Sequence, residues 1–143
     1  MINRGIRLQV VVTVVLLDVT IAMPVGWRTA NERIPILLQI PAAKRFVSVE
    51  PMLENINLTK YLVPHLKGSG NILYGSDWNK LDWVICGCES SLKRRKTEID
   101  WIRNLRDQCS SAGIPFFLKQ MEVNGKIVKM PKLDGQEWGK FPQ

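Results

Sequence analysis

Histidine and cysteine, the side chains that most often build catalytic dyads and metal centres, are scarce in this chain. It has one histidine, His65, and three cysteines, Cys86, Cys88 and Cys109. His65 stands alone beside Pro64, which reads as a surface or hydrogen-bonded residue. No histidine falls in any of the motifs at strand ends, so a Ser-His-Asp arrangement is excluded. No Gly-x-x-x-x-Gly-Lys-Ser/Thr occurs, which excludes a Walker-type phosphate loop. Zinc takes four ligands, commonly from spaced pairs, and Cys86-Gly87-Cys88 with one distant histidine does not supply them. No metal site is expected. Cys86 and Cys88 lie two apart on one strand, about 7 Å from each other, which disfavours a disulfide. The odd cysteine count points to reduced thiols and a cytoplasmic setting. Zinc-finger spacing, RNP aromatics and a GXXG loop are also missing.

Long apolar runs are scarce too. The longest, Val10 to Leu17, is too short to cross a bilayer. Asp18 follows it, and a central charge costs ~2.5–3.5 kcal/mol on insertion scales. The wider stretch Leu8 to Met23 follows Arg4 and Arg7, as a signal-like segment would, but no Ala-x-Ala cleavage pattern comes after it. Its valines favour a strand. Three readings stay open: a buried strand, a signal or anchor segment, and a poorly packed segment. No membrane partner is expected.

Three short runs of apolar residues ending in polar ones carry the fold. They are Arg45-Phe46-Val47-Ser48-Val49-Glu50-Pro51, Asp82-Trp83-Val84-Ile85-Cys86-Gly87-Cys88-Glu89-Ser90 and Ile114-Pro115-Phe116-Phe117-Leu118-Lys119-Gln120. Runs of this length and β-branched or aromatic content read as buried strands, at Arg45–Glu50, Trp83–Gly87 and Pro115–Lys119. Strands buried on both faces belong to a parallel sheet covered by helices. The expected class is α/β: a partial, half β/α barrel, or an open, mostly parallel sheet with flanking helices. The chain has 143 residues, against ~250 for a closed eight-fold barrel.

Between the strands, Asn31 to Ile40 reads as a short helix with Pro35 near its start and Pro41 as its stop. Met52 to Leu66 is a connector with a helical turn around Leu58, Leu62 and Leu66. Gly68-Ser69-Gly70 and Gly75-Ser76-Asp77 are turn signals around a short extended piece, Asn71–Tyr74. Ile99, Ile102, Leu105 and Cys109 mark one face of a helix that starts at Thr97 or Glu98 and ends at Ala112-Gly113. Val123-Asn124-Gly125-Lys126-Ile127-Val128 reads as a hairpin. Leu133-Asp134-Gly135 is a turn, and Trp138 and Phe141 dock the end. The expected organisation is an N-terminal apolar segment over residues 1–28, an α/β core over 29–120 and a hairpin tail over 121–143.

Parallel sheets bind ligands at the carboxyl ends of their strands. Glu50, Glu89 and Lys119 are therefore the catalytic candidates, with Ser48, Gly87, Ser90 and Gln120 as substrate-binding candidates. A Glu50–Glu89 pair would serve as acid and base or hold a divalent cation. Lys119 would pair with either or bind an anion. Gly87 would let a ligand approach the backbone. The plainer reading is a salt-bridge cluster closing the sheet. The net charge is +7 and the pI about 9.6, which admits a nucleic-acid partner. Lys93-Arg94-Arg95-Lys96 would hold a phosphate backbone, although a solvated loop explains it as well.

Jointly, Asn31–Leu53, Leu81–Ser90, Trp101–Gln120, Leu133–Trp138 and Phe141-Pro142 resemble a phage family of uncharacterised proteins, "gene product 37 / gene product 68". The likeness runs from about Thr29 to Pro142. It implies a barrel-like α/β fold akin to radical S-adenosylmethionine enzymes, with three N-terminal cysteines holding an iron–sulfur cluster in the full-length relative. This chain has no cysteine before Cys86, so no cofactor is expected in it. Cys88 stands where the family has glycine. The resulting expectation is a truncated or frameshifted C-terminal fragment, inactive alone, whose first ~28 residues are foreign. Self-association, or a partner that completes the barrel, goes with that reading. A basic nucleic-acid-binding module and a small standalone enzyme using Glu50, Glu89 and Lys119 are the alternatives.

Overall fold

The computed structural model describes residues 10–16, 19–25, 27–40, 42, 44–63 and 80–143. His65, Leu66, the two glycine-serine turns and Asn71–Tyr74 lie outside the described residues.

The apolar N-terminal stretch forms two strands rather than one. β1 (Val10–Leu16) and β2 (Val19–Val25) pair antiparallel, with Leu16 opposite Val19. α1 (Trp27–Gln39) begins four residues before the expected Asn31. Pro35 is consequently inside the helix and not near its start. Without an N–H, Pro35 leaves the Asn31 carbonyl short of its helical bond. The Asn31 side chain meanwhile accepts from the Tyr61 hydroxyl at 2.9 Å.

β3 (Lys44–Val49) is followed by a cis Glu50–Pro51 bond. α2 (Thr59–Leu62) is the single turn anticipated around Leu58 and Leu62. β4 (Trp83–Gly87) leads to α3 (Ile99–Ser111). Ile102, Leu105 and Cys109 of α3 are buried, but Ile99 is 39% exposed, because the stripe begins one turn later than its spacing suggested.

β5 (Phe116–Val123) runs four residues past the expected end at Lys119 and crosses the 120/121 boundary drawn between core and tail. It continues because β6 (Lys126–Lys129) gives it a partner through the Asn124-Gly125 turn. Both turn residues have positive φ, 50° and 76°, the conformation that favours Asn-Gly in two-residue hairpins. β7 (Lys132–Leu133) and β8 (Gln136–Glu137) form a second small hairpin around Asp134-Gly135.

Among the described residues the main sheet has six strands, in the order β2-β1-β3-β4-β5-β6. Only β3, β4 and β5 are mutually parallel; β1 joins β3, and β6 joins β5, antiparallel. The architecture is thus a mixed α/β sheet with helices, parallel at its centre and antiparallel towards both edges.

Strand alternation gives the parallel centre two different faces. Val47, Val49, Val84, Cys86, Phe116 and Leu118 are buried in one cluster with Ile34 and Leu38 of α1 and Ile102 and Leu105 of α3. On the other face Phe46, Trp83 and Phe117 are half-buried; Phe46 packs on Trp83, and Trp83 and Phe117 pack on each other and on Phe141 of the C-terminal tail, at ring separations of 5.1 to 6.0 Å. The tail reaches that face by pairing with the first half of β5: the Leu118 amide donates to the Trp138 carbonyl at 2.7 Å. Trp138 and Phe141 do dock the end of the chain, on Phe116 and on Trp83 respectively.

Candidate functional site at the carboxyl ends of the parallel strands

The half-covered face ends in a polar cluster. Ser48, two residues before Glu50, is buried and donates its hydroxyl to Glu50 Oε2 at 3.1 Å. Lys119 Nζ donates to the same oxygen at 3.0 Å. Glu50 belongs to the β3 end and Lys119 to β5, with β4 between them. The carboxylate must therefore pass over β4, and it does so at Gly87. A Cβ built on Gly87 would come within 2.5 Å of Glu50 Oε1. Glycine at 87 is a steric requirement of the Glu50–Lys119 pair. The space above it, expected to admit a ligand, is filled by this protein's own carboxylate.

A bulge helps from the β5 side. Cys86 pairs with Leu118 but Gly87 pairs with Gln120, leaving Lys119 as an extra residue. Bulges re-aim side chains and reset alternation. Here Leu118 and Met121, three apart, are both buried, while Lys119 is free to meet Glu50.

Glu50 Oε1 is buried and accepts no hydrogen bond. Leaving such a group unmet costs ~1–3 kcal/mol, more when it is charged. Ser48, Glu50, Gly87 and Lys119 are thus brought together, with one carboxylate oxygen fully used and the other unused.

Glu89 stands apart. Its Oε2 accepts from the Arg95 amide at 2.7 Å and from Arg95 Nε at 3.0 Å, and its Oε1 from Nη2 at 2.8 Å. The hydrogen-bonded Arg95 guanidinium holds the Glu89 carboxyl below its ordinary range and is itself raised by that bond. Each glutamate has its own cation, and the two share no partner. Gln120 bridges strand ends: its side-chain amide donates to the Cys88 carbonyl at 2.8 Å, and the Cys88 amide donates to the Gln120 carbonyl at 3.1 Å. Ser90 is exposed.

In the basic loop, Arg94 pairs with Glu122, Arg95 with Glu89 and Lys96 with Glu98. Sequence reasoning took these four cations as a unit and missed the pairing. The Lys96–Glu98 and Glu89–Arg95 spacings were short enough to suggest it; the Arg94–Glu122 spacing was not.

The three thiols are free and buried. Burial, the largest cause, pushes the Cys109 thiol up to about 12 and raises Cys86 and Cys88. A cluster needs accessible thiolates in convergent geometry, and these thiols do not fit one. Among the described residues, no group of three or more His, Cys, Asp or Glu is placed to hold a metal ion. No described helix is long and apolar enough to cross a membrane.

The fold and its rim define a mixed α/β protein with a small polar site across three parallel strand ends. The chain belongs to the family described as Protein of unknown function (DUF5131), which matches residues 7–142. That match begins well before Thr29 and takes in the β1–β2 hairpin. No curated protein and no solved structure matches the chain.

Proposed function

We propose that this chain carries the ligand-holding rim of a barrel-type protein, phage-related and akin in fold to radical S-adenosylmethionine enzymes, and that it is inactive alone. The rim takes the ammonium-and-carboxylate end of an amino-acid-like small molecule. One observation carries this reading: Glu50 Oε1 is buried without a hydrogen-bond donor, while Oε2 is held by Ser48 and Lys119. An N–H donor from a ligand would meet that oxygen once the Glu50 side chain swings off Gly87, and would remove its cost. Lys119, whose side chain is 54% exposed, keeps donors for a ligand carboxylate beside it. Opposite charges side by side recognise a zwitterion better than either ion alone. Glu89, locked by Arg95, shapes the rim and takes no part in binding. A second half of the barrel, in a partner or further chain, covers the aromatic face and supplies the reacting group.

Saturation-transfer NMR tests the reading with L-methionine and S-adenosylmethionine as probes, against the matching amine and acid that each lack one charge. The expected result is binding of the two zwitterions, lost in Glu50→Ala and weakened in Lys119→Met. Binding of the singly charged controls as strongly as the zwitterions, or binding unchanged in Glu50→Ala, would overturn it.

A further inference from the structure

Acidic and basic groups are distributed unequally over the last third of the chain. From Glu89 onward, Glu89, Glu98, Asp100, Asp107, Glu122 and Asp134 are each in an ion pair, five of these six with an arginine and Glu98 with Lys96. The cations left in no ion pair are all lysines: Lys93, Lys126, Lys129, Lys132 and Lys140. All five are exposed. Glu137, in register with Lys132, is the one acid of the stretch outside these pairs.

These lysines follow one edge of the sheet. Lys126 and Lys129 sit on β6, which is the last strand in the sheet order. Lys93 precedes Arg94, whose guanidinium bonds the Gly125 carbonyl at the hairpin tip. Lys132 opens β7, after the Met130 amide has bonded the Lys119 carbonyl at 2.9 Å. Lys140 follows Gly139, which bridges to Phe117 near the other end of β5. β5 has eight residues, so at about 3.3 Å per residue the row extends for roughly 26 Å.

We propose that this lysine-lined edge binds a nucleic-acid backbone without regard to sequence. The occupant is argued from shape and charge. A narrow row of uncompensated cations suits a linear polyanion with regularly spaced phosphates. A membrane surface would need a broad apolar face beside the cations. The exposed apolar side chains beside these lysines are Leu92, Val123, Val128, Met130 and Phe141, spread along the row from Leu92 beside Lys93 to Phe141 beside Lys140. The arginines of the 93–96 loop are spent on Glu89 and Glu122 and serve to fasten the loop. The contacting groups are the unpaired lysines, which the sequence motif did not single out beyond Lys93. Lysines on edge strands also discourage edge-to-edge pairing, and that role alone would leave no affinity for phosphate.

Fluorescence anisotropy with a labelled 20-nucleotide single strand and the matching duplex tests the proposal on the full chain. Binding at 50 mM NaCl that weakens with salt is expected. The triple variant Lys126→Gln, Lys129→Gln, Lys132→Gln should lower the single-strand salt slope by about 2, at roughly 0.7 per phosphate contact. Far-ultraviolet circular dichroism shows that the variant is folded. A charge-matched control, Arg33→Gln with Lys60→Gln and Lys80→Gln, removes cations away from this edge and should change the slope little. Three results would overturn the proposal: no binding at 50 mM NaCl, an equal loss in the control, or binding to phosphatidylserine vesicles with none to either oligonucleotide.

Discussion

The three parallel strands show two faces built from alternate residues of the same segments, and the faces differ in kind. One face, with Val47, Val84, Cys86, Phe116 and Leu118, is closed by helices into a single core. The other, with Phe46, Trp83 and Phe117, is half-covered by a tail and ends in Ser48, Glu50 and Lys119. The first face supplies stability through area removed from water. The second leaves apolar rings and an unmet carboxylate oxygen in place, which is the usual composition of a ligand site. If this division holds, substitutions on the two faces should separate stability from binding.

The largest effect is expected in the closed core. Leu105 is fully buried in α3. Leu105→Ala keeps the helix propensity but opens a cavity, and should cost about 2–5 kcal/mol, read as a fall in the urea midpoint. On the other face Phe117→Ala should cost well below the ~3–5 kcal/mol of a fully buried phenylalanine, because its ring is only half-buried. Equal losses at the two positions would erase the distinction between the faces.

Gly87 comes next, at the boundary between the faces. Gly87→Ala puts a methyl where Glu50 Oε1 now lies, 2.5 Å from the new carbon. Core overpacking costs roughly 1–3 kcal/mol, and the loss here should lie at the low end because the displaced atom ends a flexible side chain. The strain has one partner, so Glu50→Ala in the same chain should recover much of it. A double-mutant cycle with a coupling energy above ~0.5 kcal/mol would locate the clash. Additive losses would mean that Glu50 does not cross β4 in solution.

Much of this was legible before the fold. The run Trp83–Gly87 is β4 residue for residue, and the Asn124-Gly125 turn is where its type requires. Those signals are local: hydrophobic runs and turn chemistry act over a few residues. Failures came where distant residues decide. Pro35 looked like a helix start, but the helix begins about two turns earlier, at Trp27. β5 outran its apolar segment because β6 paired with its polar end. In the site, Glu50 and Lys119 were identifiable as rim residues, but their meeting depends on a bulge and on the bare backbone of Gly87. Glu89 carried an equally good rim signature, yet an arginine six residues on took it out of the site.

The smallest effect concerns what keeps the tail on the open face. Asp134, at the β7–β8 turn, pairs with Arg103 at 2.7 Å and with Arg106 at 2.5 Å, both on α3. Arg106 also lies 5.3 Å over the Trp138 ring. From there the chain runs to Phe141, 5.1 Å from Trp83. The hydrogen-bonded Arg103, then Arg106, hold the Asp134 carboxyl down at about 2, against ~3.9 unfolded. A carboxyl depressed in the fold contributes stability that is fully present above its unfolded value and is lost as pH falls through about 2. Asp134→Asn should therefore lower stability by a small, constant amount above about pH 4 and converge on the parent as pH falls to about 2, which flattens the acid limb. These are exposed pairs, whose worth is small and screened by salt. The same substitution should loosen the tail over Trp83 without touching the core. A red shift of tryptophan emission at neutral pH, with the urea midpoint nearly unchanged, would show that the open face is closed only by its tail. A fall in the midpoint as large as that of Leu105→Ala would instead make the tail part of the core, and the two faces would no longer be separable.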